Sequence, residues 1–514
     1  MQGFIIKRIH HLPFVSNISF ASVLVLAFFH TSAAVAESIE LTTPQGRVQG
    51  VMAEGIASFK GIPYALPPTG NARWRYAQPA PDWEGVRLAE DYSPMCIQRE
   101  QTRGFWARQT RPMSEDCLYL NVWTGQPTAE EGDKRPVMVW IHGGSLRTGS
   151  GATSSYDGTE LAKKGVVLVT INYRLGILGY FAHPELLTET DHGSAGNYGT
   201  TDQIAALRWV SRNIEAYGGD PNNVTIFGES AGAWSVHHMM SSPLAKGLFH
   251  KAIAQSGHRF GGMPDQVQAA ERGKAFQEQA GATSLADLRA MSWHEIMQHR
   301  SRSSPNADGH VFPDQIYAIF ESGQQNSVPM IAGYNEHEST TLGGLQRIPE
   351  SEEAFRARVE RIYGEHADDF FEVYDVSDLR GASLASGRDA SFGWGTQLYA
   401  HISKDKVYQY FFTHAPDGDR LGAYHAAEIV YAFNNVGEQR SVADHALGEA
   451  MSDYWVSFAT DGVPRAEGQP KWKAWTKRRQ DYMDFGTAGP RTERSLTPGM
   501  FELFEGIQAA RRAR

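Results

Sequence analysis

In Gly228-Glu229-Ser230-Ala231-Gly232, a serine stands between glycines where four strand-forming residues, Val224 to Phe227, give way to a helix-forming run. A hydroxyl is a weak nucleophile. Chemistry at Ser230 requires a base to take its proton, an acid to orient that base, and donors for the oxyanion that forms on attack. Such a serine must project from a sharp strand-to-helix turn, and glycines at 228 and 232 let strand and helix approach closely. Ser230 would then sit at a helix N-terminus, where free N–H groups favour developing negative charge.

The remaining groups can be sought in order. Val137 to Ile141 runs directly into His142-Gly143-Gly144-Ser145. The N–H groups of Gly144 and Ser145, with that of Ala231, are candidate oxyanion donors. An acid and then a histidine should follow the serine on a sheet of this kind. Glu336 and Glu338 directly follow the apolar run from Met330. Two residues apart, they share a face if the chain stays extended, so spacing does not choose between them. His414 and His425 follow the next apolar run, Val407 to Phe412. His425 is favoured because it lies past a turn at Asp417-Gly418-Asp419, in a loop able to fold over the site, and precedes an apolar run that would anchor it.

The elements that must position these groups are short apolar runs. Val137–Ile141, Val166–Ile171, Val224–Phe227, Lys251–Ala254, Met330–Ala332 and Val407–Phe412 read as strands buried on both faces. Between two of them, Ile204, Leu207, Val210 and Ile214 recur at helical spacing, with Thr201 or Asp202 as the expected cap and Gly218-Gly219 and Pro221 as the end. Strand, helix, strand implies an α/β fold: a central, mostly parallel sheet flanked by helices. Residues 37–514 read as one domain, with helical cap insertions at about 262–325 and 343–400.

Residues 1–36 differ from the rest. A basic start with Lys7 and Arg8, an apolar run from Phe20 to Phe29, and Ala34-Val35-Ala36 read as a secretory signal peptide. Export to the periplasm or beyond is therefore expected, without stable membrane insertion. Cys96 and Cys117 are the only cysteines, and in an exported chain they suggest one disulfide. They lack the pairing of a zinc site, and no metal or organic cofactor is implied. A net charge of −10 argues against nucleic acid as a partner.

The chain resembles the type-B carboxylesterases, in the cholinesterase and carboxylesterase branch of the α/β-hydrolases. Besides GESAG, the likeness rests on FKGIPYALPPTGNARW, SEDCLYLNVW, NYRLGILGYF and NIEAYGGDPNNVTIFGESAG. It implies an α/β-hydrolase fold and a serine hydrolase acting on small-molecule esters. The implied roles are nucleophile for Ser230, acid for Glu338 and base for His425, with Gly144, Ser145 and Ala231 at the oxyanion positions. Glu229 and Ser256 match residues that support the triad from a buried network. Cys96 and Cys117 match the family's first disulfide, whose loop borders the gorge. Two departures stand out: Ser145 replaces a third glycine after His142, and Ser339 replaces the glycine after the acid.

Between the cysteines lie Arg99, Arg103, Arg108 and Arg111, with Phe105 and Trp106 among them, and Arg147 follows the oxyanion segment. Against an acidic background these arginines would attract esters with free carboxylates, such as the tricarballylate esters of fumonisin-type toxins. Trp106 and Arg147 are the expected substrate contacts. A lipase-like or broad neutral esterase is the alternative. A triad-lacking adhesion or binding protein is disfavoured, because every reacting group is present.

Overall fold

The computed structural model describes residues 37–100, 111–125, 127, 133–416 and 419–512. Residues 1–36, Arg103, Phe105, Trp106 and Arg108 and the turn at Asp417-Gly418 lie outside them. The strands in chain order are β1 (Glu37–Thr43), β2 (Gly46–Ala53), β3 (Ile56–Pro63), β4 (Val86–Leu88), β5 (Met95–Cys96), β6 (Met113–Ser114), β7 (Tyr119–Thr124), β8 (Arg135–Ile141), β9 (Val167–Ile171), β10 (Gly219–Glu229), β11 (Lys251–Gln255), β12 (Met330–Asn335), β13 (Val407–Phe412), β14 (Asp481–Gly486) and β15 (Gly489–Arg494). One large sheet runs in the order β1-β2-β3-β7-β9-β8-β10-β11-β12-β13-β14-β15, with β4 beside β2. From β9 to β14 all neighbouring strands are parallel. Both edges are antiparallel.

Strand side chains alternate between the two faces, and both faces are covered. Val137, Val139 and Ile141 of β8 join one apolar core with Val224 and Ile226 of β10. Met138 and Trp140 join the other, with Phe227, Ile253 and Ile331. This explains why these strands read as unbroken apolar runs. Helices occupy the connection between β11 and β12 from Gln266 to Glu321, and that between β12 and β13 from Glu352 to Ile402.

The helix between β9 and β10 runs from Tyr198 to Asn213, so it begins before either expected cap, Thr201 or Asp202. Asn197 precedes it in the left-handed region, with φ of 54°. Asp202 does not cap because its carboxylate is committed elsewhere: it accepts from the Arg174 backbone N–H at 3.0 Å and from Arg174 Nε and Nη2 at 2.8 and 2.6 Å. Ile204, Leu207, Val210 and Ile214 are buried as their spacing requires. Gly218, with φ of 79°, ends the helical run.

The elbow between β10 and the helix Ala231–Ser241 is sterically tight. A Cβ on Gly232 would lie 2.0 Å from the Ile141 carbonyl oxygen, and one on Gly228 would lie 2.6 Å from the same atom. Both contacts are with backbone, which cannot swing aside. Gly232→Ala is therefore expected to cost at least about 2 kcal/mol, through overpacking and backbone displacement. Urea unfolding would measure this, and an unchanged midpoint would contradict the close approach.

Candidate active site

The sequence-predicted groups gather at the carboxyl ends of adjacent parallel strands, where α/β sheets place their ligands. β8 delivers His142 to Ser145, β10 delivers Ser230, β11 delivers Ser256, and β12 delivers Glu338. His425 follows β13 through a loop. Ser230 itself has φ of 55° and ψ of −119°, a strained conformation for a residue with a side chain. The surrounding packing holds it: its N–H donates to the Gln255 carbonyl at 2.8 Å, and its carbonyl accepts from Trp234 N–H at 3.0 Å.

His425 Nδ1 lies 2.5 Å from Glu338 Oε2, and its Nε2 lies 3.2 Å from Glu229 Oε1. Glu229 immediately precedes Ser230, so the imidazole sits beside the elbow. Glu338 is fully buried, and its other oxygen accepts from the Asn335 backbone N–H at 2.8 Å. The spacing ambiguity between Glu336 and Glu338 disappears because the strand ends at Asn335 and a 3₁₀ turn begins at Glu338. That turn directs Glu338 inward, while Glu336 stays partly exposed and lies 3.5 Å from His337. His414 belongs to a separate buried group. Its Nε2 meets Asp444 at 2.7 Å, and its Nδ1 meets Thr487 at 3.1 Å.

Three buried carboxylates surround the one imidazole. Glu428 accepts from Asn335 Nδ2 at 2.6 Å and from Gln255 Nε2 at 3.2 Å. Burial, with the three glutamates, raises the Tyr410 hydroxyl well above its ordinary range. Burial pushes Glu229 up to about 8, against the pull of His425 and with help from Glu428 and Glu338. Burial and Glu338 push Glu428 up to about 7. Burial alone would drive the proton off His425, but Glu229 and Glu338 outweigh it and raise its affinity for a proton. The cluster therefore favours a charged imidazole over three charged acids.

The loop after β8 carries Gly144, Ser145 and Leu146 at φ of 100°, 57° and 57°. Among the described residues, no backbone carbonyl outside regular helices and strands takes the N–H of Gly144, Ser145 or Ala231. Gly143 packs against the elbow, so that a Cβ there would lie 3.2 Å from Ser230 Cβ. His142 stacks on Tyr173 at 4.4 Å, and burial lowers its pKa to about 4, so this ring braces the loop as a neutral group.

One support was not foreseen from the sequence. Gln98 Nε2 donates to the Gly149 carbonyl at 2.9 Å, while Gly149 N–H donates to Gln98 Oε1 at 2.8 Å. The side-chain amide thus imitates a neighbouring strand. Gln98 lies two residues past Cys96, which is disulfide-bonded to Cys117. A glutamine carries no signal of such a role in sequence. Arg147, on the same loop, is exposed. Arg111 lies 4.6 Å over the Tyr92 ring. Phe392, also unforeseen, packs 5.4 Å from His425 out of a π-turn, Asp389–Gly393. Gln98→Ala is expected to speed amide exchange in peptides spanning residues 143–150, with β12 unaffected; equal protection in both proteins would show that the clamp is dispensable.

Comparison with known proteins gives a consistent result. A model of the carboxylesterase family matches residues 37–503. The chain is 35% identical over 472 residues to a fumonisin B1 esterase of Sphingopyxis macrogoltabida, covering 87% of this chain and 86% of that protein. It is 32% identical over 471 residues to a para-nitrobenzyl esterase of Bacillus subtilis, covering 86% and 93%. A solved structure of a PNB esterase superposes with a TM-score of 0.76 at 30% identity, covering 90% of this chain and 99% of that one. No helix among the described residues is long and apolar enough to cross a membrane. The chain therefore belongs to the carboxylesterase family and is a hydrolase of the α/β-hydrolase fold.

Proposed function

We propose that the chain hydrolyses carboxylic esters through an acyl-enzyme on Ser230, and that its preferred esters carry free carboxylates. The observation that carries the first part is the 2.5 Å contact between Glu338 and His425, beside the strained elbow that presents Ser230. His425 accepts the Ser230 proton as the hydroxyl attacks the ester carbonyl. Glu338 fixes the ring and stabilises its positive form, while the N–H groups of Gly144, Ser145 and Ala231 receive the oxyanion. His425 returns the proton to the departing alcohol. Water then attacks the acyl-enzyme, with the imidazole again as base, and the acid is released. Glu229, 3.2 Å from Nε2, supports the ring, and Ser256 is assigned a supporting place at the end of β11.

The second part is supported by Arg147, exposed on the oxyanion loop, and by likeness to a fumonisin B1 esterase. Tricarballylate esters of that kind fit the proposed class. Residues 1–36 are read as an export signal, a reading supported by the Cys96–Cys117 disulfide, since such bonds persist in oxidising compartments.

Ser230→Ala is expected to lower kcat for a soluble ester by at least about 10³-fold and to abolish labelling by an organophosphonate. Near-normal turnover would overturn the nucleophile. The pH profile tests the base. His425 works deprotonated, and Glu338 raises its pKa. Glu338→Gln should therefore let the ring lose its proton at lower pH, moving the acid limb of kcat/KM downward as kcat itself falls. An unmoved limb would remove Glu338 from the relay. Carboxylate-bearing esters should lose specificity constant relative to neutral ones as salt rises; equal constants at all salt concentrations would leave a broad neutral esterase.

A further inference from the structure

Just beyond Ser256 the chain runs Gly257-His258-Arg259. A Cβ on Gly257 would lie 2.5 Å from the Ser230 carbonyl oxygen and 3.1 Å from Trp234 Cδ1, so this segment is pressed against the elbow and the first turn of its helix. The Arg259 guanidinium lies 5.7 Å over the Trp234 ring. Arg259 is only partly exposed, and its Nε is buried with no hydrogen-bond partner. No carboxylate among the described residues forms an ion pair with it. Taking a guanidinium out of water without a counter-charge is costly. Stacking on an aromatic face also leaves the planar fork free along its edge.

The neighbours add no competing charge. Burial lowers His237 to about 4 and His258 to about 3, and burial with Arg259 holds His238 low as well. These rings are neutral at physiological pH. His258 Nε2 and both ring nitrogens of His238 are buried without a hydrogen-bond partner. One fixed positive charge therefore sits among neutral ring nitrogens, with no acid to satisfy it. The π-turn connects this place to the chemistry: Trp394, directly after it, meets the His258 ring at 5.2 Å, and Phe392 within it packs against His425.

We infer that Arg259, stacked on Trp234 beside Ser230, binds a free carboxylate on the acyl part of the ester. This rests on the ester-hydrolase reading above and adds to it a specific recognition residue distinct from the loop arginines. Carboxylate oxygens would accept two parallel N–H bonds from the guanidinium edge, holding the acyl chain by its far end while its ester carbonyl faces Ser230.

The test compares 4-nitrophenyl hydrogen succinate, which carries an acyl-side carboxylate, with 4-nitrophenyl butyrate, which does not. In Arg259→Gln, the ratio of kcat/KM for the succinate over the butyrate should fall about tenfold or more, mainly through KM. Arg259→Lys should recover part of the ratio, because it keeps the charge and loses the fork. In the unaltered protein, tricarballylate should inhibit competitively and its triamide should not. An unchanged ratio, or equal inhibition by acid and amide, would overturn the subsite. If the unaltered protein hydrolysed neither ester, the hydrolase reading itself would fail. Butyrate turnover with an unaltered ratio would sink the subsite alone. Should Arg259→Gln fail to fold, the lysine variant and the inhibitor pair still decide.

Discussion

The site turns on a short hydrogen bond inside a buried enclosure lined by carboxyl groups. Glu338 is fully buried, and among the described residues its ion pair is with the ring of His425. A buried carboxylate is tolerated only when paired and hydrogen-bonded, and Glu338 meets both conditions, through the imidazole and the Asn335 N–H. Burial, and then the nearness of the other carboxylates, makes Glu229 and Glu428 resist ionising. A cluster of this kind is at its most favourable when the ring is positive. In the proposed reaction, that is the moment at which the serine proton has been transferred.

The same economy of space governs the backbone. Strand β8, the elbow and the helix after it meet through glycines whose missing side chains leave room for carbonyls. Because β8 and β10 are hydrogen-bonded neighbours, the loop after β8 and the elbow are joined by the sheet itself. The disulfide-closed loop then reaches across through Gln98 to hold Gly149. Three distant stretches of chain thereby fix the position of a few N–H groups.

Much of this was legible in the sequence, and the failures have physical causes. Val407–Phe412 was read at its true bounds, and β8, β9, β11 and β12 within a few residues, because burial on both faces leaves an apolar run bounded by turns, whereas β10 begins well before Val224 and the parallel strand β14 was not read. The antiparallel edges were not anticipated, since half-exposed strands such as β1 and β15 carry a weaker pattern. The cap of the Tyr198–Asn213 helix was misplaced because a local preference for aspartate was overridden by a distant arginine, Arg174. Spacing could not separate Glu336 from Glu338, because the deciding turn begins only where the strand ends. Gln98, Phe392 and Arg259 act through contacts made across the fold, and no local motif announces them.

Glu338 and His425 are 87 residues apart in the chain, and β8, whose loop lies beside the elbow, is separated from its sheet neighbour β10 by β9 in chain order. Contacts of such range form late, after most of the loop-closure entropy has been lost. Partly assembled chains would hold the serine and its turn but no working relay. Loss of catalytic power on heating should thus coincide with collapse of the sheet, making turnover a sensitive gauge of whether the molecule is intact.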